Sequence, residues 1–316
     1  MANVIGCVFG LVSAFFFVAF LVSWFRSREQ VRSHKRLGIA AGICFVVLEL
    51  LILLLAGSEA RQSLPILQTI LVDGVAFVRI AAFTIVGVHM CRGLGYHSFP
   101  LLKPRLGVVE ASKHDPLEDE QLDATELVET EPNAEPTETD DTSLPSSEVD
   151  YPTSLPVVRG KQYALLVIGV GLGAIVYSAI LFWLTSPRIS DMAQQIFGEG
   201  VVEINGRALL LWLFVSLDFA LVEEITFRLG IQNYVAKQLN WQGNRYWLAI
   251  ILSAAFWTLG HSGVMEPDWV KLLQIFPIGL ALGWLFRKVG TEGCILAHAL
   301  FNVVFGILTP FVLGWG

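Results

Sequence analysis

Charge is what this chain lacks over most of its length. Asp, Glu, Lys and Arg make up 16% of the residues against 54% hydrophobic ones, and mean hydropathy is +0.61. Several uncharged runs reach the roughly 18 to 20 residues that cross a bilayer, which excludes a water-soluble globular domain. Cysteine is sparse: Cys7, Cys44, Cys91 and Cys294 form no CxxC pair, so neither a disulfide framework nor a cysteine zinc site is indicated. HExxH is absent, which excludes the helical zinc-protease arrangement built on it. No Lys or Arg precedes the first apolar run, so that run reads as a retained anchor rather than a signal peptide. There is no internal repeat and no pair of broken apolar segments of the kind a coupled carrier uses.

What is present is a series of apolar stretches and one acidic interruption. The runs 4–25, 37–56 and 64–90 precede the interruption; 163–184, 208–239, 247–261, 270–286 and 293–312 follow it. They predict an all-α fold, a polytopic transmembrane bundle of about eight spans. Residues 110–150 hold 15 Asp/Glu against Lys113 alone, a local charge of −14 that leaves +7 for the rest of a chain whose total is −7. Such a segment buries too little surface to offset its ordering entropy and is expected to be a disordered linker. The chain divides accordingly into a three-span membrane region (1–105), an acidic linker (106–159) and a five-span region (160–316). The stretch 191–197 has an amphipathic pattern suited to a membrane surface. Lys and Arg follow the first, third, fifth and seventh runs, which predicts both termini outside and the linker in the cytoplasm. A basic remainder suits anionic inner-leaflet lipid, so the partner expected is the bilayer and not nucleic acid.

Against this apolar background, Leu221-Val-Glu-Glu-Ile-Thr-Phe-Arg228 places three charges inside one run. An ionisable side chain in hydrocarbon costs about 2.5 to 3.5 kcal/mol on insertion scales, so it is expected to face the bundle interior and to mark function. Glu224 and Arg228, at i,i+4, share a helix face and can pair; Glu223 points away and is freer for chemistry. His261 ends an aromatic run, and His298 and Asn302 stand at i,i+4 in the last run. Glu49, Asp73 and Arg79 in the early spans are read as structural partners or snorkelling ends. Gly260-His-Ser-Gly263 spells GxSG, a nucleophile pattern of rhomboid-type serine proteases. Ser262 is nevertheless followed by Val-Met-Glu-Pro-Asp, a loop sequence and not the start of an apolar helix.

EExxxR at Glu223-Glu224-Arg228, an aromatic-to-His motif at His261 and HxxxN at His298-Asn302, in that order, resemble the CAAX protease and bacteriocin-processing family (CPBP, or Abi-type) of intramembrane endopeptidases. The resemblance covers about residues 160–310. One departure is that Trp257 stands four residues before His261 where the family commonly has Phe. The resemblance implies that Glu223, helped by His261, activates a water to attack a peptide bond. It implies that His298 and Asn302 serve the oxyanion, and that Glu224 and Arg228 orient the helix and the substrate. A variant makes Glu223, His261 and His298 ligands of a zinc ion, as in a metalloendopeptidase. The implied substrate is a membrane-associated peptide or a prenylated protein, and the implied location is the plasma membrane of a bacterium. The alternatives are a non-catalytic scaffold or bacteriocin-immunity protein of the same fold, and a serine protease at Ser262.

Overall fold

A computed structural model of the chain describes residues 2–26, 34–56, 66–101, 158, 160–191 and 206–313. Nearly all of the acidic segment 106–159, the amphipathic stretch beyond Asp191 and the side chain of Asp73 lie outside the described residues. Of the described residues 87% are helical, and the one sheet is a two-residue antiparallel pair, so the all-α expectation holds.

Helices α1 (Ala2–Arg26), α2 (Lys35–Ala56) and α3 (Ile66–Gly93) come first. After α4 (Lys161–Thr185) and strand β1 (Arg188–Ile189), α5 (Gly206–Glu223) runs without a break into a π-helical segment, Glu224–Gln232, and then into α6 (Asn233–Gln238). Helix α7 (Tyr246–Leu259), strand β2 (Met265–Glu266) and α8 (Asp268–Val312) complete the order. Five helices, α1 to α4 and α8, are long and apolar enough among the described residues to cross a membrane. Their outer faces carry Phe15, Leu54, Leu165 and Trp183 at 63 to 77% exposure, as lipid contact requires.

Helix α8 is 45 residues long but is not one rod. Gly290 has φ 75° and ψ −172°, and the Cys294 thiol donates to the carbonyl of Leu282 at 3.3 Å. Twelve residues of straight helix would hold those atoms about 18 Å apart. The chain therefore folds back at Gly290 into two antiparallel arms, 268–289 and 291–312, matching the two runs expected from sequence. A side chain at Gly290 is doubly excluded, by the positive φ and by Pro100 and the Ser98 carbonyl within 3 Å of where its Cβ would lie. Thr291 N–H donates to that same Ser98 carbonyl at 2.8 Å, tying the fold-back to the end of the α3 region.

Two elements depart from the sequence reading. Helix α7 has 14 residues and rises about 21 Å, short of the roughly 30 Å hydrocarbon core, so the stretch 247–261 does not by itself make a full span. Its end is turned back by the β1–β2 pair, Arg188 opposite Glu266 and Ile189 opposite Met265. The second departure is the π segment, whose extra residue per turn widens the helix directly after Glu223. Side chains satisfy its backbone: Ser253 Oγ donates to the Phe227 carbonyl (2.8 Å), and Asn233 Nδ2 donates to those of Arg228 (3.2 Å) and Leu229 (2.9 Å). On its other side the segment is braced by α3. A Cβ at Gly87 would come within 2.6 Å of the Leu229 carbonyl, so only glycine permits this approach.

Candidate active site

The α5–π junction, the end of α7 and the second arm of α8 bring Glu223, Glu224, Arg228, His261 and His298 into one cluster. Glu224 and Arg228 are sealed in protein, at 0 and 1% exposure, whereas Glu223 and His261 each keep 22%. Arg228 Nε lies 3.4 Å from Glu224 Oε2, the i,i+4 pair that the spacing anticipated, and its guanidinium lies 4.2 Å from the Trp257 ring centroid. Buried away from water, that cation is held by a carboxylate on one side and an aromatic face on another.

The two carboxylates have different neighbours. Glu224 Oε1 is 2.8 Å from His298 Nδ1. A carboxylate oxygen accepts, so Nδ1–H donates and Nε2 is the ring atom turned toward Glu223 Oε2, 3.7 Å away. His261 repeats the arrangement. Its Nδ1 is 3.0 Å from the Trp257 carbonyl, which fixes Nδ1–H as donor and turns Nε2 toward Glu223 Oε1 at 3.9 Å. Both contacts to Glu223 are too long for a direct hydrogen bond. Glu223 thus sits between two imidazole Nε2 atoms, anchored by a third group: Trp257 Nε1–H donates to Glu223 Oε2 at 2.7 Å.

Trp257 is the site residue that the sequence reading undervalued. Read there as a departure from Phe, it is the indole that holds Glu223, covers Arg228 and meets both histidine rings edge-on, with centroids 5.0 and 5.5 Å apart. The signal was available: Trp, unlike Phe, carries an N–H that needs a partner when buried, and at position 257 it is 1% exposed. Lys271, in the first arm of α8, is a second addition. Its ammonium donates to Gln274 Oε1 at 2.9 Å and lies within Coulombic reach of Glu223 and His261.

Asn302 stands one turn beyond His298 on the same arm, half-buried, and its carbonyl accepts from Trp212 Nε1 at 3.3 Å. Its side chain makes no hydrogen bond to a described residue, so the structure does not join it to the cluster as it joins the other five. Ser262 lies in the turn that follows α7, where its N–H donates to the Leu259 carbonyl; it opens no helix and is bonded to neither histidine. Because α7 ends at Leu259, His261 lies in the turn beyond it, where its ring reaches Glu223.

Comparison with known proteins places the same region. Residues 205–304 match the family model described as type II CAAX prenyl endopeptidase Rce1-like. The sporulation-killing factor biosynthesis protein SkfC of Bacillus subtilis (strain 168) is 26% identical over 138 residues, 43% of this chain. The match spans 27% of that protein's length. No solved structure matches. The matched residues contain every member of the cluster and all three motifs, so it is this part of the chain that is similar to the Rce1-like CAAX prenyl endopeptidases.

Proposed function

We propose that this protein is an intramembrane endopeptidase that hydrolyses a peptide bond of a membrane-associated substrate with a water activated by Glu223. The observation that carries the reading is the asymmetry of the Glu pair. Glu224 is paired with Arg228 and His298 and inaccessible, whereas Glu223 is oriented by Trp257, partly exposed and flanked by two Nε2 atoms at 3.7 and 3.9 Å. Separations just beyond direct hydrogen bonding are those a single shared water spans. Held there, a water gives a proton to Glu223 as its oxygen attacks the scissile carbonyl; His261 Nε2 is positioned to accept a hydrogen bond from it. His298, aligned by Glu224, faces the developing oxyanion and donates to it from Nε2 in its imidazolium form, and Asn302, one turn away, supplies a second donor once substrate is in place. Glu223 then returns its proton to the leaving amine.

One carboxylate and two imidazoles are by chemistry a donor set that zinc accepts, and Glu223, His261 and His298 would hold it, but among the described residues no three such groups are placed so as to enclose a metal ion. Bound there, the ion would supply Lewis acidity to the attacking water. A membrane-associated peptide follows from the family. A prenylated CAAX protein or a peptide precursor, in a bacterial plasma membrane, is the proposed specific setting.

The test is cleavage of a farnesylated CAAX reporter peptide by full-length protein in proteoliposomes. Glu223→Gln keeps shape and hydrogen bonding but cannot take the proton, so turnover is expected to fall by roughly 10² to 10⁴ while thermal unfolding is unchanged. Ser262→Ala is expected to be silent. Undiminished activity of Glu223→Gln, or an inactive but folded Ser262→Ala, overturns the assignment. Chelation separates the two forms of the mechanism: loss of activity restored by added zinc assigns the ion, and insensitivity assigns the carboxylate alone.

A further inference from the structure

Three cations from different helices meet at one place far from the Glu pair in function. Arg26 in the last turn of α1, Arg92 in the last turn of α3 and Lys237 in the last turn of α6 line a single cavity of about 910 Å³. A basic residue at a helix C-terminus is ordinarily explained by the helix dipole. That accounts for one cation on each helix and not for their convergence, nor for the rest of the lining. No Asp or Glu lines the cavity. Among the described residues neither arginine forms an ion pair with a carboxylate, and Lys237 Nζ finds only the Gly93 carbonyl at 3.4 Å. Beneath the cations the wall is apolar. Phe15, Val18 and Val22 of α1 lie on a face that is 57 to 63% exposed on the outside of the bundle, so the cavity opens sideways toward hydrocarbon as well as toward the helix ends.

A cationic end continuous with a lipid-facing apolar wall fits one chemistry, an anionic head joined to an alkyl chain. We propose that this cavity binds an anionic phospholipid, with its phosphate against Arg26, Arg92 and Lys237 and one acyl chain along Phe15, Val18 and Val22. The site lies between the N-terminal helices and α6, which directly continues the π segment, so the lipid joins the two parts of the chain. The assignment is independent of the protease reading. The acidic segment 110–150 offers carboxylates for the same cations but only scattered apolar side chains, such as Leu117, Leu122 and Leu127, where the wall calls for a continuous alkyl chain.

Binding of phosphatidylglycerol and of phosphatidylcholine is measured by native mass spectrometry on the full-length protein in neutral detergent. The wild type is expected to retain phosphatidylglycerol selectively and to unfold at a higher temperature with it than without. The combined variant Arg26→Ala, Arg92→Ala, Lys237→Ala is expected to lose roughly 10²-fold in apparent affinity. The charge-matched control Arg36→Ala, Arg245→Ala, Lys288→Ala, at exposed positions outside the cavity, is expected to keep it. Arg26→Gln alone, at an exposed helix end, is expected to lose about fivefold and covers the case in which the triple variant does not fold. Val22→Trp fills the apolar wall and is expected to lose the lipid with all three cations intact. Equal loss in the cavity and control triples reduces the effect to general surface charge and overturns the proposal. So does unimpaired binding by Val22→Trp, competition by inorganic phosphate, or displacement of the lipid by a synthetic peptide of residues 110–150 that still binds Val22→Trp.

Discussion

Trp257 keeps a half-buried carboxylate, Glu223, in one pose. A glutamate side chain has three rotatable bonds, and ordering it for attack costs rotamer entropy that some contact must offset. The indole N–H at 2.7 Å from Glu223 Oε2 supplies that contact, and the ring simultaneously covers Arg228. Trp257→Phe deletes the donor while keeping an aromatic face for the guanidinium. A hydrogen bond to a charged group contributes about 1.5 to 3 kcal/mol, so turnover is expected to fall by roughly 10- to 100-fold. Because the indole positions Glu223 and touches no substrate, KM for the reporter peptide is expected to stay within about twofold; a change confined to KM would show that Trp257 contacts substrate instead. Glu224→Gln is expected to behave differently. It leaves Arg228 at 1% exposure without a charged partner, a loss that for buried pairs costs about 3 to 5 kcal/mol, so the thermal unfolding midpoint falls along with activity.

At the scale of elements, the π segment is what the amino-acid pattern conceals. Apolar runs reveal where helices are, and the spacing of Glu224 and Arg228 reveals their pairing, because both depend only on neighbours along one helix. The π register depends on partners far away in sequence. It is held by Ser253 on α7 and by a polar knot in which Tyr246 O–H donates to Asn233 Oδ1 (2.7 Å) and Gln232 Nε2 donates to the Tyr246 hydroxyl (3.0 Å). For the same reason the His298–Glu224 contact could not be read from sequence: 74 residues separate its partners. His261, His298 and Asn302 were legible as polar exceptions in apolar runs; which of them would touch which carboxylate was not. Asn233→Ala removes two donors to the π carbonyls and the acceptor of Tyr246. With these buried groups left unpaired at about 1 to 3 kcal/mol each, destabilisation of several kcal/mol is expected. Ser253→Ala removes one such donor and is expected to cost about 1 to 3 kcal/mol. If denaturant unfolding in detergent found Asn233→Ala as stable as wild type, the side-chain account of the π segment would fail.

On the scale of the whole molecule, the question is why residues outside the family match are joined to it so closely. Phe83 on α3 stacks on Phe20 of α1 at 4.2 Å and stands against Gly230 in the π segment, while Phe9 of α1 stacks on Phe256 of α7 at 4.9 Å. Gly87 lets α3 reach the Leu229 carbonyl. The helices α1 and α3 therefore form one wall of the element that bears Glu224 and Arg228, and Ile225, Leu229 and Ile231 are at most 2% exposed in their presence. In a bilayer, removing that wall replaces protein contact by lipid, so it costs packing and helix-to-helix complementarity more than hydrophobic burial. Residues 160–316 expressed alone are accordingly expected to insert yet to lose most proteolytic activity, with the π segment no longer braced. By composition, with 15 Asp/Glu against one Lys, residues 110–150 are expected to bury too little surface to take part in helix packing. Co-expression of residues 1–105 with residues 160–316, without a covalent link, is thus expected to restore cleavage of the farnesylated reporter and to yield a complex that co-purifies in mild detergent. A fully active 160–316 fragment would show that the N-terminal wall is dispensable. A co-purifying but inactive pair would show that residues 106–159 take part in the reaction.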